Sequence, residues 1–481
     1  MQPRRRLLLI SYHFPPSQTA GALRWQQLAR FAVERGWGLD VITLDPSCQS
    51  DTDPHTLDTL PEGVRVYGVP DLPLRIEHIE NTLWGWCKSV LAGRRTASGP
   101  SGANGSSPAP ADGGQRHKAR AESFARHEVR WLPRSPRDLL RAYAALVDFR
   151  RGNDWARRVA LLARSLVQRG VHDAVVSCGP PHMAHEAGRQ VASMFGLPFV
   201  MDLRDPWSFV QRLPGGVSHP LWWQRAERYE RAAVARAARV VANTEPVRRE
   251  LMRRYPERPE RFITVMNGYD DEPMPVVAAP ERFTIAYAGS IYLDRSPRLL
   301  FRAAGRVLRE LNLTPEELGI ELIGHVGQLD GIPVAQMAQE EGVTAYVSLS
   351  PRRPRRELME LLAGASMLVS LPQDSDMAIP SKIFEYMRFH AWLLALAEPE
   401  SATGTALEGT SADVVRPTDL DGIAAVIKRR YLEHTRGVRP EPIAGDTRFS
   451  RSFQAGVMFD AIEACVQCPA SRTPSASAAG I

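Results

Sequence analysis

Short apolar runs alternate with amphipathic helical segments along most of the chain. In the first half the apolar runs lie at residues 7–12, 41–44, 64–70, 174–178, 198–201, 240–243 and 262–270. Runs of this length bounded by Gly, Pro or Asn predict buried strands, and the segments between them, such as 23–35 and 220–238, predict helices. Regular alternation of strands and helices predicts an α/β fold with parallel sheets.

The same alternation restarts after residues 271–280, which carry three prolines and acidic residues and indicate a linker between domains. In the second half the apolar runs lie at residues 283–288, 320–323, 346–349, 365–372, 392–396 and 412–415. We therefore predict an N-terminal domain at 1–272, a C-terminal domain at 273–444 and a final helix at 445–468.

Residues 365–396 contain the clearest candidate site. The strand at 365–372 is followed by a loop and by a helix with Ser381 as the predicted N-cap. The first N–H groups of such a helix lack intrahelical partners and face the carboxyl edge of the sheet, where an anion such as phosphate binds. Ser381 and Lys382 would add a hydroxyl and a cation there. Glu385, one turn on, could accept hydrogen bonds from ribose hydroxyls.

Lysine is rare in this chain, which contains four Lys and fifty-six Arg. Lys382 therefore stands out, because a compact ammonium group on a flexible stem suits a phosphate. The alternative is a surface helix that is stabilised by a Lys382–Glu385 ion pair.

Other glycine and polar residues lie at the ends of predicted strands or in the loops that follow them. They are Gly21, His182, Asp202, Arg204, Asp205, Gly289 and Ser290. Gly289 and Ser290 could present backbone N–H groups to a phosphate, with Arg295 or Arg298 as the counter-charge. The charges at 202–205 either belong to a site or form ion pairs that only stabilise the fold.

The composition is that of an ordinary soluble protein, since the 481 residues are 44% hydrophobic and 24% charged, with a net charge of +6. The basic residues are spread along the chain, which does not indicate nucleic-acid binding but suits an anionic substrate or membrane surface. Aromatic residues and Arg at 76–91 and 126–151 could form a membrane-surface patch or pack on the domain. No apolar run reaches the roughly eighteen residues that predict a membrane-spanning helix.

Five scattered cysteines do not indicate a disulfide framework, which favours a reducing, cytoplasmic setting. Cys465 and Cys468 form a lone CxxC pair with no second pair nearby, so a zinc site is not expected. The insertion at about 93–123 and the tail at 469–481 are rich in small residues and are predicted to be disordered.

A series of motifs in a fixed order resembles the family 4 glycosyltransferases, which are retaining enzymes of GT-B architecture that use nucleotide sugars. The motifs lie at residues 8–44, 177–182, 201–207, 241–245, 266–270, 287–290 and 380–387. The resemblance implies two Rossmann-like domains that face a cleft and a donor held mainly by the second domain. It also implies a C-terminal helix that crosses back to the N-terminal domain.

In this resemblance Glu385 matches the second glutamate of the family's E-x7-E motif, which holds the ribose of the nucleotide. Met377 stands in place of the first glutamate. Ser381 and Lys382 would contact the diphosphate. The resemblance also implies the donor-binding residues Gly21, Gly289, Ser290 and Arg295, the catalytic residues Asp202, Arg204 and Asp205 beside Lys382, and the acceptor-side residue His182. Because many members carry Arg where Ser290 stands, Arg295 or Arg298 would supply the charge.

We therefore expect a glycosyltransferase that transfers a sugar from a nucleotide diphosphate sugar to a cell-surface polysaccharide or a lipid-linked glycan, with peripheral contact to the inner face of the membrane. No DxD-type pair lies at a suitable place, which predicts independence of metal and of other cofactors. Two alternatives stay open. One is a catalytically silent nucleotide-sugar-binding protein, for which Met377 and Ser290 are the arguments, and the other is a GT-B sugar epimerase.

Overall fold

The computed structural model describes residues 5–467 except 50, 75–123, 127–134, 169 and 374. The predicted insertion at 93–123, the tail at 469–481, the segment at 76–91 and Cys468 lie outside the described residues.

The N-terminal half is built on a seven-stranded parallel sheet with the strand order β3-β2-β1-β5-β6-β8-β9. Its strands, with the antiparallel pair β4–β7 beside the sheet, are β1 (Arg5–Ser11), β2 (Trp37–Leu44), β3 (Val64–Val69), β4 (Phe124–Arg126), β5 (His172–Gly179), β6 (Phe199–Leu203), β7 (Arg212–Pro214), β8 (Arg239–Ala242) and β9 (Phe262–Thr264). Its helices are α1 (Ala20–Glu34), α2 (His55–Asp58), α3 (Pro136–Leu166), α4 (Met183–Phe195), α5 (Pro220–Arg236) and α6 (Glu245–Arg254).

The C-terminal half contains a six-stranded parallel sheet with the order β14-β11-β10-β15-β16-β17. The strands of this sheet are β10 (Phe283–Ser290), β11 (Leu318–His325), β14 (Val347–Ser350), β15 (Met367–Ser370), β16 (Trp392–Leu396) and β17 (Asp413–Val415), and β12 (Gln328–Leu329) and β13 (Ile332–Pro333) form a separate antiparallel pair. The helices are α7 (Arg298–Leu311), α8 (Val334–Glu340), α9 (Arg355–Ala363), α10 (Ser381–Tyr386), α11 (Ala402–Leu407), α12 (Leu420–His434) and α13 (Arg451–Gln467).

Both faces of each sheet are covered, which explains why the strands appear in the sequence as continuous apolar runs. In β1, Leu8 and Ile10 belong to the core on one face, whereas Leu7 and Leu9 belong to the core on the other. The α/β prediction with two parallel sheets is confirmed. Within the described ranges, no helix is long and apolar enough to span a membrane.

The chain passes between the two halves twice, and the two passages are bonded to each other. Tyr269 N donates to Phe449 O at 2.9 Å, and Arg451 N donates to Tyr269 O at 2.7 Å. Helix α13 then packs on the N-terminal half, where Phe459 joins the core of the sheet and meets Trp25 of α1 edge-on at 6.4 Å between ring centroids. The predicted return of the C-terminal helix to the N-terminal domain is therefore confirmed.

Two local predictions are wrong. Helix α10 begins at Ser381 with Pro380 in the cap position, and no side chain caps it, so Ser381 is not the N-cap. Pro380 has φ −58° and ψ 131°, a non-helical backbone that is typical of a cap residue, so the helix begins one residue earlier than predicted. Helix α1 begins at Ala20, so Gly21 lies in its first turn and not in the preceding loop.

Candidate active site

The Lys382 side chain is mostly buried at the carboxyl edge of the C-terminal sheet. Its Nζ lies 3.8 Å from the centroid of the Tyr287 ring. A Cβ atom at Gly289 would lie 2.5 Å from this Nζ, so the lysine and the glycine are in close contact. No described residue accepts a hydrogen bond from the buried Nζ. A buried ammonium group without a partner is costly, and an anion bound beside it would remove that cost.

Burial, together with the positive charge of Arg295, lowers the pKa of Lys382 from 10.5 to about 7. The cation–π contact with Tyr287 offsets only part of this desolvation. Near neutral pH the amine of the free protein is therefore only partly protonated. A phosphate bound beside it would favour the ammonium form, and the attraction between the two would be stronger than at the surface.

We expect the stability cost of Lys382 to shrink as the pH rises from about 7 toward 10.5. Below the folded-state pKa the amine is protonated in both states, so the folded protein bears the full cost of burying a cation. Between the two pKa values only the unfolded chain stays protonated, so stability rises with pH. Thermal unfolding of wild type and Lys382→Met should show a smaller advantage of the variant at alkaline than at neutral pH. A constant difference would contradict the low pKa.

Gly289 lies at the end of β10 in a backbone conformation with φ +148°, which other residues rarely adopt. It is paired with Gly324 of β11, where a Cβ would overlap the carbonyl oxygen of Gly289. The next residue, Ser290, accepts a hydrogen bond through its carbonyl from the Tyr287 hydroxyl at 2.8 Å. Two glycines thus keep this edge open beside Lys382.

Gly289→Ala is expected to displace the Lys382 ammonium and to strain the backbone by about 1–3 kcal/mol. If Lys382 binds the donor, affinity for a nucleoside diphosphate should fall at least tenfold. Gly327→Ala is the matched control, because a Cβ at Gly327 meets no atom within 4 Å. Equal affinities of the two variants in isothermal titration would argue against the role of this contact.

The sequence offers either Arg295 or Arg298 as the positive charge beside the phosphate, and the structure distinguishes between them. Arg295 lies over the Tyr292 ring at 4.0 Å and acts on Lys382 through its charge. Arg298 instead forms ion pairs with Glu340 and Glu341. Arg295 is therefore the candidate for the donor site, and Arg298 is not.

Glu385 does not pair with Lys382, so the surface-helix alternative is wrong. Its Oε1 accepts a hydrogen bond from Arg355 Nη1 at 2.7 Å, and Arg355 also contacts Glu272. The Glu385 side chain remains about one-third exposed at 34%. Its role at a ribose stays a prediction, and Arg355 would share the carboxylate with that ligand.

Asp202 cannot face a substrate, and the prediction that it does so is wrong. It is fully buried, and its carboxylate accepts hydrogen bonds from Arg24 Nε at 2.9 Å, Arg24 Nη2 at 3.0 Å and Trp25 Nε1 at 2.8 Å. Arg24 also donates to the carbonyl of Val265 and to Asn267 Oδ1, in the passage between the halves. Asp202 and Arg24 therefore hold the sheet, α1 and this passage together.

Two of the predicted site residues, Arg204 and Gly21, are in close contact in the folded chain. A Cβ at Gly21 would lie 2.8 Å from Arg204 Nη1 and 3.0 Å from the His13 ring. Asp205 is half-exposed and lies 3.6 Å from Arg204 Nε. The catalytic roles of Arg204 and Asp205 stay predictions.

The imidazole of His182 lines a cavity and does not gain a proton near neutral pH. Its ring stacks on Trp207 with centroids 5.2 Å apart and planes 17° apart. Burial first, and then the nearby His185 and Arg204, hold the pKa of His182 well below its usual value. Its neutral ring lines a cavity of about 440 Å³ at the carboxyl edge of the N-terminal sheet.

Met377, at the place of the missing glutamate, lies where the two halves meet. Its carbonyl accepts a hydrogen bond from Thr244 Oγ1 of the N-terminal half at 2.8 Å. Its side chain packs against the N-terminal core. A second contact between the halves joins Arg212 of β7 to Asp294, next to Arg295. Sequence reasoning missed both contacts, because neither partner has a distinctive neighbourhood in the sequence.

No family model matches the chain. Part of it is 29% identical over 153 residues to D-inositol 3-phosphate glycosyltransferase 1 of Catenulispora acidiphila. A longer part is 28% identical over 211 residues to the D-inositol 3-phosphate glycosyltransferase of Thermobifida fusca. The matches cover 29% and 40% of this chain and 37% and 47% of those proteins, so the chain matches less than half of the length of these relatives.

Among solved structures, a glycosyltransferase from Rickettsia africae is similar with a TM-score of 0.57 at 10% sequence identity. The similarity covers 96% of this chain and 99% of that chain. The predicted architecture and resemblance are therefore both confirmed. The chain has the GT-B fold, and its sequence is similar to glycosyltransferases of the family 4 type.

Proposed function

We propose that this protein is a glycosyltransferase that transfers a sugar from a nucleotide diphosphate sugar to a polysaccharide or lipid-linked glycan. The observation that carries the proposal is the buried Lys382 Nζ, which has no hydrogen-bond partner among the described residues and lies against Gly289. Sequence similarity to two named glycosyltransferases supports the reaction class. We also propose a cytoplasmic setting with peripheral contact to the inner membrane face, and the free thiols of Cys48, Cys178 and Cys465 are compatible with that compartment.

The proposed reaction needs stabilisation of the departing nucleoside diphosphate. Lys382 would supply a charge in a site with little water, where such a charge lowers the barrier most. Arg295 would add a second positive charge. In the proposed retaining mechanism the leaving phosphate accepts the proton of the acceptor hydroxyl, and no metal or protein base is required.

A panel of nucleotide sugars incubated with the full chain and a glycan acceptor mixture tests the proposal. We expect one donor to be consumed, with formation of the nucleoside diphosphate and a product heavier by one sugar in mass spectrometry, with or without EDTA. The α-configuration of the new bond, from an α-linked donor, would be read by NMR. Consumption of no donor by a folded protein that binds nucleotide sugars would contradict the proposal.

The second candidate is a nucleotide-sugar-binding protein without catalytic activity, which the packing of Met377 against the N-terminal core favours. It predicts tight binding of one nucleotide sugar that is recovered unchanged. The same assay separates the two candidates, and recovery of an isomerised donor would instead indicate an epimerase.

A further inference from the structure

The cavity beside His182 has the size of a small-molecule site, since its volume of about 440 Å³ lies in the usual range of roughly 300–1,000 Å³. Buried indoles line its floor, namely Trp155, Trp207 and Trp222. Asp71, Asp148 and Arg151 line its more exposed rim. An apolar floor below a polar rim suits a ligand that has one apolar face and polar edges.

Hydrogen bonds hold the two rim carboxylates in place. Asp71 Oδ2 accepts from the Tyr12 hydroxyl at 2.8 Å and from Arg151 Nε at 2.9 Å. Asp148 Oδ2 accepts from Trp222 Nε1 at 3.1 Å. Ionised carboxylates only accept hydrogen bonds, so these groups suit ligands that donate through hydroxyls.

The lining carries more negative than positive charge. Two carboxylates, Asp71 and Asp148, face one guanidinium, that of Arg151, and this guanidinium is already paired with Asp71. His182 in the same wall adds no charge when neutral. The two carboxylates would repel a phosphate group at this rim. A purely apolar ligand would remove the carboxylates from water and donate no hydrogen bonds to them.

We propose that this cavity binds the acceptor as an unphosphorylated sugar ring. The C–H face of the ring packs on the indole floor, and its hydroxyls donate to Asp71 and Asp148. The inference rests on the proposed function and narrows its acceptor to a neutral carbohydrate. A neutral acceptor would distinguish this chain from the two similar proteins, whose names include D-inositol 3-phosphate.

The location supports an acceptor subsite. Pro180 and His182 form one wall of the cavity, and the carbonyl of Pro180 accepts a hydrogen bond from Arg204 Nη2 at 3.4 Å. Arg204 in turn lies against Gly21. The cavity therefore adjoins the N-terminal residues that are predicted to face the transferred sugar.

Ligand-observed NMR titrations of the full chain test the proposal with neutral methyl glycosides of glucose, galactose, mannose and N-acetylglucosamine, and with glucose 6-phosphate and D-inositol 3-phosphate. We expect at least one neutral glycoside to bind, and both phosphates to bind at least tenfold more weakly. Asp148→Asn should weaken the neutral glycoside about tenfold, because it removes a charged acceptor. Asp154→Asn is the control on the same helix, since Asp154 pairs with Arg158 instead.

Stronger binding of either phosphate, binding of no neutral glycoside at millimolar concentration, or an unchanged affinity in Asp148→Asn would each overturn the proposal. Titration of UDP, GDP, ADP, CDP and dTDP in the same samples separates this inference from the proposed function. If a nucleotide binds and the glycosides do not, only the acceptor assignment fails. If the glycosides bind through Asp148 and no nucleotide binds, the cavity is a sugar site and the proposed transferase function fails.

Discussion

Replacing Lys382 with Met should lower the turnover of the nucleotide sugar at least about a hundredfold and should also raise the thermal stability of the free protein. Both effects have one cause, because the ammonium is buried against Tyr287 without a hydrogen-bond partner among the described residues. Met has a similar length and keeps the contact with the ring without bringing a charge out of water. The expected gain in stability at neutral pH is on the order of 3 kcal/mol.

Lys428→Met is the matched control for this substitution. Lys428 is exposed and forms a surface ion pair with Glu310, so its replacement should change stability by less than about 0.5 kcal/mol and leave turnover unchanged. Initial rates and thermal unfolding of the three proteins give both quantities. Wild-type turnover in Lys382→Met, or a loss of stability in a variant that still folds, would contradict the assigned role.

Arg24→Met is expected to destabilise the protein by about 3–5 kcal/mol, because it leaves the Asp202 carboxylate buried without its cation. Asp202 has 0% of its surface exposed, and Arg24 donates two hydrogen bonds to it. The substitution also removes the hydrogen bond from Arg24 to the carbonyl of Val265. Chemical denaturation monitored by circular dichroism measures the loss.

Arg30→Met on the same helix is the control, because the Arg30 side chain is 60% exposed and its partner Glu34 is exposed as well. The double variant Arg24→Met with Asp202→Asn should recover part of the lost stability, since no buried charge then remains and Trp25 keeps its acceptor. If Arg24→Met is as stable as Arg30→Met, or if the double variant is no better than Arg24→Met alone, the buried ion pair is not what stabilises this region.

The architecture was predictable from the sequence, and so was the placement of Lys382 and Gly289 at the same edge of the C-terminal sheet. Strands that are buried on both faces appear as uninterrupted apolar runs, so most of them could be located directly. Gly289 is the last residue but one of β10, and Lys382 follows β15, which is the neighbour of β10 in the sheet. Residues that follow neighbouring parallel strands meet at one edge, so the pair could be assembled without knowledge of any side-chain contact.

The partners of the charged residues could not be predicted. Arg24 and Asp202 are 178 positions apart, and an acidic residue near a strand end looks the same in the sequence whether it points to the cleft or into the core. Glu385 likewise meets Arg355 from α9 and not Lys382 from its own helix. In a chain with fifty-six arginines, each carboxylate has many candidate partners, and only tertiary structure selects one.

A crystal structure of the full chain grown with UDP or GDP tests the central claim most directly. We expect the diphosphate to lie within hydrogen-bond distance of Lys382 Nζ beside Gly289, with the ammonium drawn away from the Tyr287 ring toward the phosphate. A nucleotide bound elsewhere, with Lys382 still packed on Tyr287 and no anion beside it, would contradict the account.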